Sequence, residues 1–213
     1  GCATSSVNIQ VLVPAHINVA NDIQMLALVN RYRPAKGEGF LNVVEGALTG
    51  ENIGQDRRSA EAALGGLINS LAGSPRFRIT RPAIELKGTG RGDFPPPLPN
   101  EEVVDICTKS NAQALVTIEA FDSDQTISMS TQERSRKLKS GEVQKYLVYN
   151  AIKSMRVTVG WRMYDALNGN LIDEFRMIEV VDFSAEGNTD LQARNNLPQG
   201  EAVSTRIGAV TGE

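Results

Sequence analysis

Two long β-prone stretches, residues 113–131 and 142–164, flank the basic segment Glu133-Arg134-Ser135-Arg136-Lys137-Leu138-Lys139-Ser140-Gly141. In the second stretch Val157, Val159, Trp161 and Met163 alternate strictly with Thr158, Gly160, Arg162 and Tyr164. A period of two sends successive side chains to opposite faces of a sheet, so strands this long need a sheet with a buried side. Asp165–Asn170 follows and contains Asn168-Gly169, a pair that favours a tight hairpin. Leu171–Val180 then runs back. These elements predict an antiparallel unit with the basic segment at a hairpin tip.

The upstream half has a different texture. Ile23–Asn30 is a nearly continuous apolar run of strand length, the pattern of an interior strand covered on both faces. Ala60, Ala63, Leu64, Leu67, Ile68 and Leu71 recur every three or four residues and predict a helix with one apolar stripe. Asp56 is placed as its N-cap and Gly73 as its left-handed stop, with Pro75 beyond. Arg76–Arg81 alternates as a half-buried strand. Residues 85–100, with Gly88-Thr89-Gly90-Arg91-Gly92-Asp93 and three consecutive prolines, read as an exposed loop. Asn100 is expected to cap a second helix whose acidic first turn suits the helix dipole, and Gln113–Phe121 returns as a strand. A short strand is expected at 7–13, a helical piece at 40–48 and the start of a helix from Glu201, with the natural polypeptide expected to continue past Glu213.

The fold class that follows is α/β (α+β): a mostly antiparallel mixed sheet flanked by helices and extended by a long β-hairpin unit. The expected organisation is a tether over 1–6, an α/β domain over 7–183, and a polar segment with the start of a C-terminal helix over 184–213. A chain of 213 residues with 41% hydrophobic and 22% charged residues can bury such a core. No run approaches the roughly 18 apolar residues of a membrane-spanning helix. The net charge of -3 argues against nucleic acid as a partner, because that binding needs concentrated positive charge.

There are two cysteines. Cys107 sits in an apolar helical pattern and reads as a buried free thiol; pairing it with Cys2 would require the N-terminus to fold back. Cys2 follows Gly1 and precedes Ala3-Thr4-Ser5-Ser6, a tether composition. Bacterial lipoproteins mature at such a junction, so Cys2 is the expected lipidation site. More than one acyl chain gives stable anchoring. Ala3 is not the Asp associated with inner-membrane retention, and the lipoprotein resemblance therefore implies the outer membrane with the domain facing the periplasm.

The order of strand 23–30, helix 56–73 ending in Ser74-Pro75-Arg76-Phe77-Arg78-Ile79-Thr80, helix 100–110 and Asn111–Ala120 resembles an envelope arrangement. It is similar to the α/β domains of the curli-secretion lipoprotein, the penicillin-binding-protein activator lipoproteins and the N-terminal domain of TolB. Ala27-Leu28-Val29-Asn30-Arg31 with Glu45-Gly46-Ala47-Leu48-Thr49-Gly50-Glu51 also resembles an uncharacterised family of Gram-negative lipoproteins known only as a domain of unknown function. What these resemblances imply is a membrane-tethered sheet acting by contact with an envelope protein or polymer, with the membrane met only through the anchor. Neither resemblance carries a catalytic motif to this chain.

Residue chemistry supports few reactions. His16 is the single histidine, which leaves zinc and multi-histidine sites without ligands. There is no Gly-Xaa-Ser-Xaa-Gly elbow to pair with it. Gly88–Asp93 lacks the following helix of a phosphate loop, since prolines come next. Asp122 and Asp124, with Glu119 upstream, bring carboxylates to one edge and provide the competing reading, an envelope hydrolase built on paired carboxylates; a ligand-binding sensor domain is the third. Arg134, Arg136, Lys137 and Lys139 form the densest basic cluster, a candidate contact for an anionic surface or partner. The expectation is therefore a non-catalytic interaction or assembly module with no cofactor and no metal.

Overall fold

The computed structural model describes residues 19–32, 55–88 and 92–212. Cys2, His16, the strand expected at 7–13 and the helical piece at 40–48 lie outside the described residues. The described chain runs β1 (Met25–Asn30), α1 (Gln55–Ala72), β2 (Arg78–Thr80), α2 (Asn100–Ser110), β3 (Ala114–Lys137), β4 (Val143–Asp165), β5 (Leu171–Gly187), α3 (Asp190–Asn195) and α4 (Gly200–Gly212). The strands form one open mixed sheet in the order β2-β1-β3-β4-β5, so the mixed α+β class holds.

The apolar run at β1 lies where its composition requires, between two neighbours. It pairs in parallel with β2 and with β3, the latter from Leu26 opposite Ala114 to Asn30 opposite Ile118. Leu26 and Leu28 enter one core layer and Ala27 and Val29 the other. The remaining pairings are antiparallel. β3 and β4 pair from Ala114 opposite Asp165 to Lys137 opposite Val143, and β4 pairs with β5 from Tyr164 to Tyr149. β3 therefore continues six residues past the expected Thr131, and most of the basic segment is strand. The tip is a Leu138–Gly141 turn, with Gly141 at φ +88° and its N–H bonded to Leu138 O at 2.9 Å. The second connection is longer than a two-residue hairpin: Asp165 N bonds Asn170 O at 2.8 Å, and Gly169 takes the left-handed position at φ +72°.

One face of the sheet carries α1, α3 and α4. Ala60, Ala63 and Leu64 of α1 are fully buried with Leu28, Ile118 and Phe121, and Val203 and Ile207 of α4 join the same layer. The expected stripe is present, but both expected caps differ. Asp56 lies inside the first turn and turns its carboxylate to β3 instead of capping its own helix. Gly73 is not left-handed; a bond from Ser74 N to Leu71 O at 2.9 Å turns the chain instead.

The opposite face carries α2 and the segments 82–88 and 92–99. Pro99, not Asn100, occupies the N-cap position of α2, and the Asn100 side chain donates to Asn170 at 2.9 Å. Asn111, at φ +51°, closes the helix. The expected exposed loop is a strap: Leu86 and Leu98 are buried with Val103, Ile106 and Tyr164. Among the described residues this cover lies over the part of the sheet nearest β1.

Candidate functional site

The register between β3 and β4 shifts at one point. Ile118 faces Trp161 and Ala120 faces Gly160, leaving Glu119 as an inserted residue. Such a bulge re-aims side chains. Ala114 and Ile118 point to the helical layer before it and Phe121 after it, so the parity of the strand changes there. Glu119 joins Thr117 on the strap side.

Glu119 is wholly inaccessible. Its Oε1 accepts from Thr117 Oγ1 at 2.6 Å and from the Tyr164 hydroxyl at 3.0 Å. Its Oε2 accepts from Arg31 Nη1 at 2.8 Å and lies 3.8 Å from Arg162 Nη1. The two guanidinium groups reach onward to the strap. Arg31 donates to Lys87 O and Pro96 O, both at 2.9 Å. Arg162 donates to Pro95 O at 2.6 Å and to Glu174 Oε2 at 2.7 Å. Prolines have no N–H, so this segment cannot join a ladder and its buried carbonyls need outside donors. Phe94 lies beneath Arg162 and Arg176, with guanidinium carbons 4.9 and 5.1 Å from the ring centre. Gly160 makes room for it: a Cβ there would stand 2.7 Å from the ring.

Burial alone would lower the Arg162 pKa, but the hydrogen bond to Glu174 and the nearby Glu119 raise it above its ordinary value. Burial first, then Glu119, raises Tyr164. Every polar group here is satisfied by another, and Glu119 faces no solvent. The arrangement clamps a strap; it does not present an acid or base to a substrate. Glu119, Asp122 and Asp124 share the strap side of β3, with Glu119 buried, Asp122 half-buried and Asp124 exposed.

The carboxylate coupled to Asp122 and Asp124 is Asp56. It accepts hydrogen bonds from Ser123 and Tyr32, and its pKa stands at about 7, raised first by burial and further by Asp122 and Asp124. Asp122 is half-buried beside Gly92, whose added Cβ would fall 2.8 Å from the Asp122 Cβ. Asp124 is exposed, opposite Arg156 on β4. Among the described residues no group of three or more His, Cys, Asp or Glu side chains is arranged to hold a metal ion.

The basic cluster is divided by its own strand. Arg134 pairs with Glu186 of β5, with nitrogen–oxygen distances of 2.5 and 2.8 Å. That bond raises the Arg134 pKa and lowers that of Glu186. The register makes the ion pair cross β4 at Val148, which is buried. Arg136 lies over the Tyr146 ring at 5.7 Å and donates to Gln144 at 2.9 Å. Lys137 ends β3 and Lys139 sits in the turn, both exposed.

Among the described residues, cavities lie elsewhere. One of about 590 Å³ is lined by Ile23, Cys107, Gln113, Asp165 and Leu167. Cys107 is the buried free thiol expected; burial, with Asp165 adding, pushes it up to about 11. Another, an apolar groove of about 270 Å³, runs past Leu71, Phe77, Trp161 and Phe175. Neither contains Asp56, Asp122 or Asp124.

Residues 23–213 match the model of a domain of unknown function, DUF8603. The chain belongs to that family. This agrees with the resemblance to a family known only as a domain of unknown function. No curated protein matches. Among solved structures, the PelC dodecamer from Paraburkholderia phytofirmans is 11% identical over 91% of this chain and 86% of that one, with a TM-score of 0.36. A neuraminyllactose-binding hemagglutinin homolog from Helicobacter pylori is 8% identical over 94% and 83%, with a TM-score of 0.30. Likenesses this distant carry no argument about the family's function.

Proposed function

We propose that this chain is a non-catalytic interaction or assembly module of the cell envelope, held at the outer membrane by acyl chains on Cys2 and presented to the periplasm. The observation that carries the reading is the uncovered part of the sheet. Beyond Gly92 and Phe94 the strap face of β3, β4 and β5 has no covering layer among the described residues. Ile152, Ile178 and Val180 stand there 41%, 47% and 58% exposed, among Thr126, Ser128 and Ser154 on the same side. Exposed apolar side chains on an uncovered sheet surface that also carries Asp124, Arg156 and Asp182 suit a protein or polymer partner better than an enclosed ligand. The burial of Glu119 supports contact over hydrolysis.

The test has two arms. Fractionation should release a Cys2→Ser variant from the membrane into the soluble fraction. Crosslinking in the native envelope should give a defined adduct that Ile178→Asp/Val180→Asp abolishes and Val210→Asp, an exposed apolar position on α4, does not. Adducts indifferent to both substitutions would remove the ribbon face from the reading.

A further inference from the structure

Charge is segregated along this chain. Glu133–Lys145 holds five basic residues and two acidic ones, a net of +3, while the whole chain is -3, so everything else sums to -6. Within the tip, Lys145 is paired with Glu133, and Arg134 is turned back to Glu186. Arg136, Lys137 and Lys139 pair with no described carboxylate and stand at the very end of the ribbon. β5 stops opposite Tyr149, so the β3–β4 ladder projects six residues further, about 20 Å, with no third strand among the described residues. Apolar side chains accompany the charge. Val143 and Leu147 are 61% and 50% exposed on the side of Lys137, and Tyr146 carries Arg136 on the other.

We propose that this tip docks on a bilayer surface containing anionic phospholipid. Arg136, Lys137 and Lys139 meet the headgroup phosphates, and Val143 and Leu147 enter the boundary with the acyl chains. Shape favours lipid over protein. Two strands about 4.8 Å apart over about 20 Å offer only a few hundred Å² per face, against roughly 800 Å² per partner in a stable protein interface. A bilayer accepts isolated apolar insertions and diffuse positive charge without complementary shape. The assignment deepens the envelope reading above and revises the expectation that the membrane is met only through an anchor.

The experiment uses the 213-residue chain without acylation, floated with vesicles of phosphatidylcholine alone or of phosphatidylcholine mixed with phosphatidylglycerol. Binding is expected to the mixed vesicles only and to weaken as salt rises. Arg136→Gln/Lys137→Gln/Lys139→Gln should lose on the order of 100-fold in affinity. Val143→Ser/Leu147→Ser should lose less, and Lys109→Gln on α2 nothing. Circular dichroism and the melting midpoint should be unchanged in all variants. Equal binding to both vesicles, none to either, or indifference to the triple substitution overturns the assignment. So does a crosslinker at Leu147 that finds protein in the native envelope while vesicles are ignored. Because no acyl chain is present, failure here leaves the Cys2 anchor standing, and an unmodified Cys2 in the native product would leave the vesicle result standing.

Discussion

The two faces of the sheet are closed by different physics. On the helical side α1 and α4 meet through small residues: Ser59 and Ser204 touch hydroxyl to hydroxyl at 2.9 Å, and Gly66, Gly208 and Gly212 lie against the facing backbone. On the strap side an irregular, proline-bearing segment is fastened by guanidinium groups to a buried carboxylate. The first cover gains from close packing and removed apolar area, and every contact contributes a little. The second concentrates its hold in Arg31, Glu119 and Arg162, where each member is needed to offset the burial of the others. A distributed cover tolerates loss at one point; a concentrated one does not.

The largest expected effect tests that contrast directly. Glu119→Ala leaves the almost fully buried Arg31 without its carboxylate and Arg162 with Glu174 alone, and breaking a buried pair from one side costs about 3–5 kcal/mol. Glu119→Gln keeps one accepting oxygen and the side-chain volume but sets its NH₂ against a donor, and should cost less than Ala. Urea unfolding of both variants reads the difference. A loss under about 1 kcal/mol for Ala would mean that Leu86 and Leu98 hold the strap by themselves and that the two faces do not differ in kind.

Asp56 ties α1 to the sheet within the helical face, since it turns from the helix to meet Ser123 of β3. Its folded pKa of about 7 lies above the 3.8 of the unfolded chain. Between these values the folded protein keeps a proton that the unfolded chain has lost, so stability falls as pH rises through the window and levels off above it. The change is at most about 4 kcal/mol. In Asp56→Asn the slope should vanish, leaving the variant more stable than the parent at pH 8 and similar near pH 4. Thermal melts across that range check it. Parallel pH profiles for the two proteins would show that Asp56 is not the titrating group.

The contrast also explains what the sequence made legible. The alternation of Val157, Val159, Trp161 and Met163 and the stripe of α1 are local periodicities, and both lead to correct elements. The stripe even identifies the buried side, because apolar spacing and burial share one cause. The burial of the strap has no local signal because it depends on Arg31 and Arg162, residues far from it in the chain. The bulge at Glu119 has no local signature: Ile118-Glu119-Ala120 continues a plausible alternation, and only the partner strand shows the extra residue. Asp56 looked like a cap because capping is the local use of an aspartate at a helix start, and nothing nearby in sequence indicates Ser123. The basic cluster was visible as composition, while its division between Glu186, Tyr146 and solvent belongs to the register.

The smallest effect sharpens the claim that the helical cover works by shape. α1 contains two adjacent glycines whose surroundings differ. A Cβ at Gly66 would strike the carbonyl of Ala209 on α4, whereas a Cβ at Gly65 meets nothing within 4 Å. Gly66→Ala must therefore push the two helices apart, and overpacking of this kind costs about 1–3 kcal/mol. Gly65→Ala adds only helix propensity, because alanine loses less backbone entropy than glycine, and should stabilise by about 0.5–1 kcal/mol. Chemically identical substitutions one residue apart should shift the urea midpoint in opposite directions. Stabilisation by both would show slack between α1 and α4, and the helical face would then owe its closure to the apolar stripe and not to the close approach of backbones.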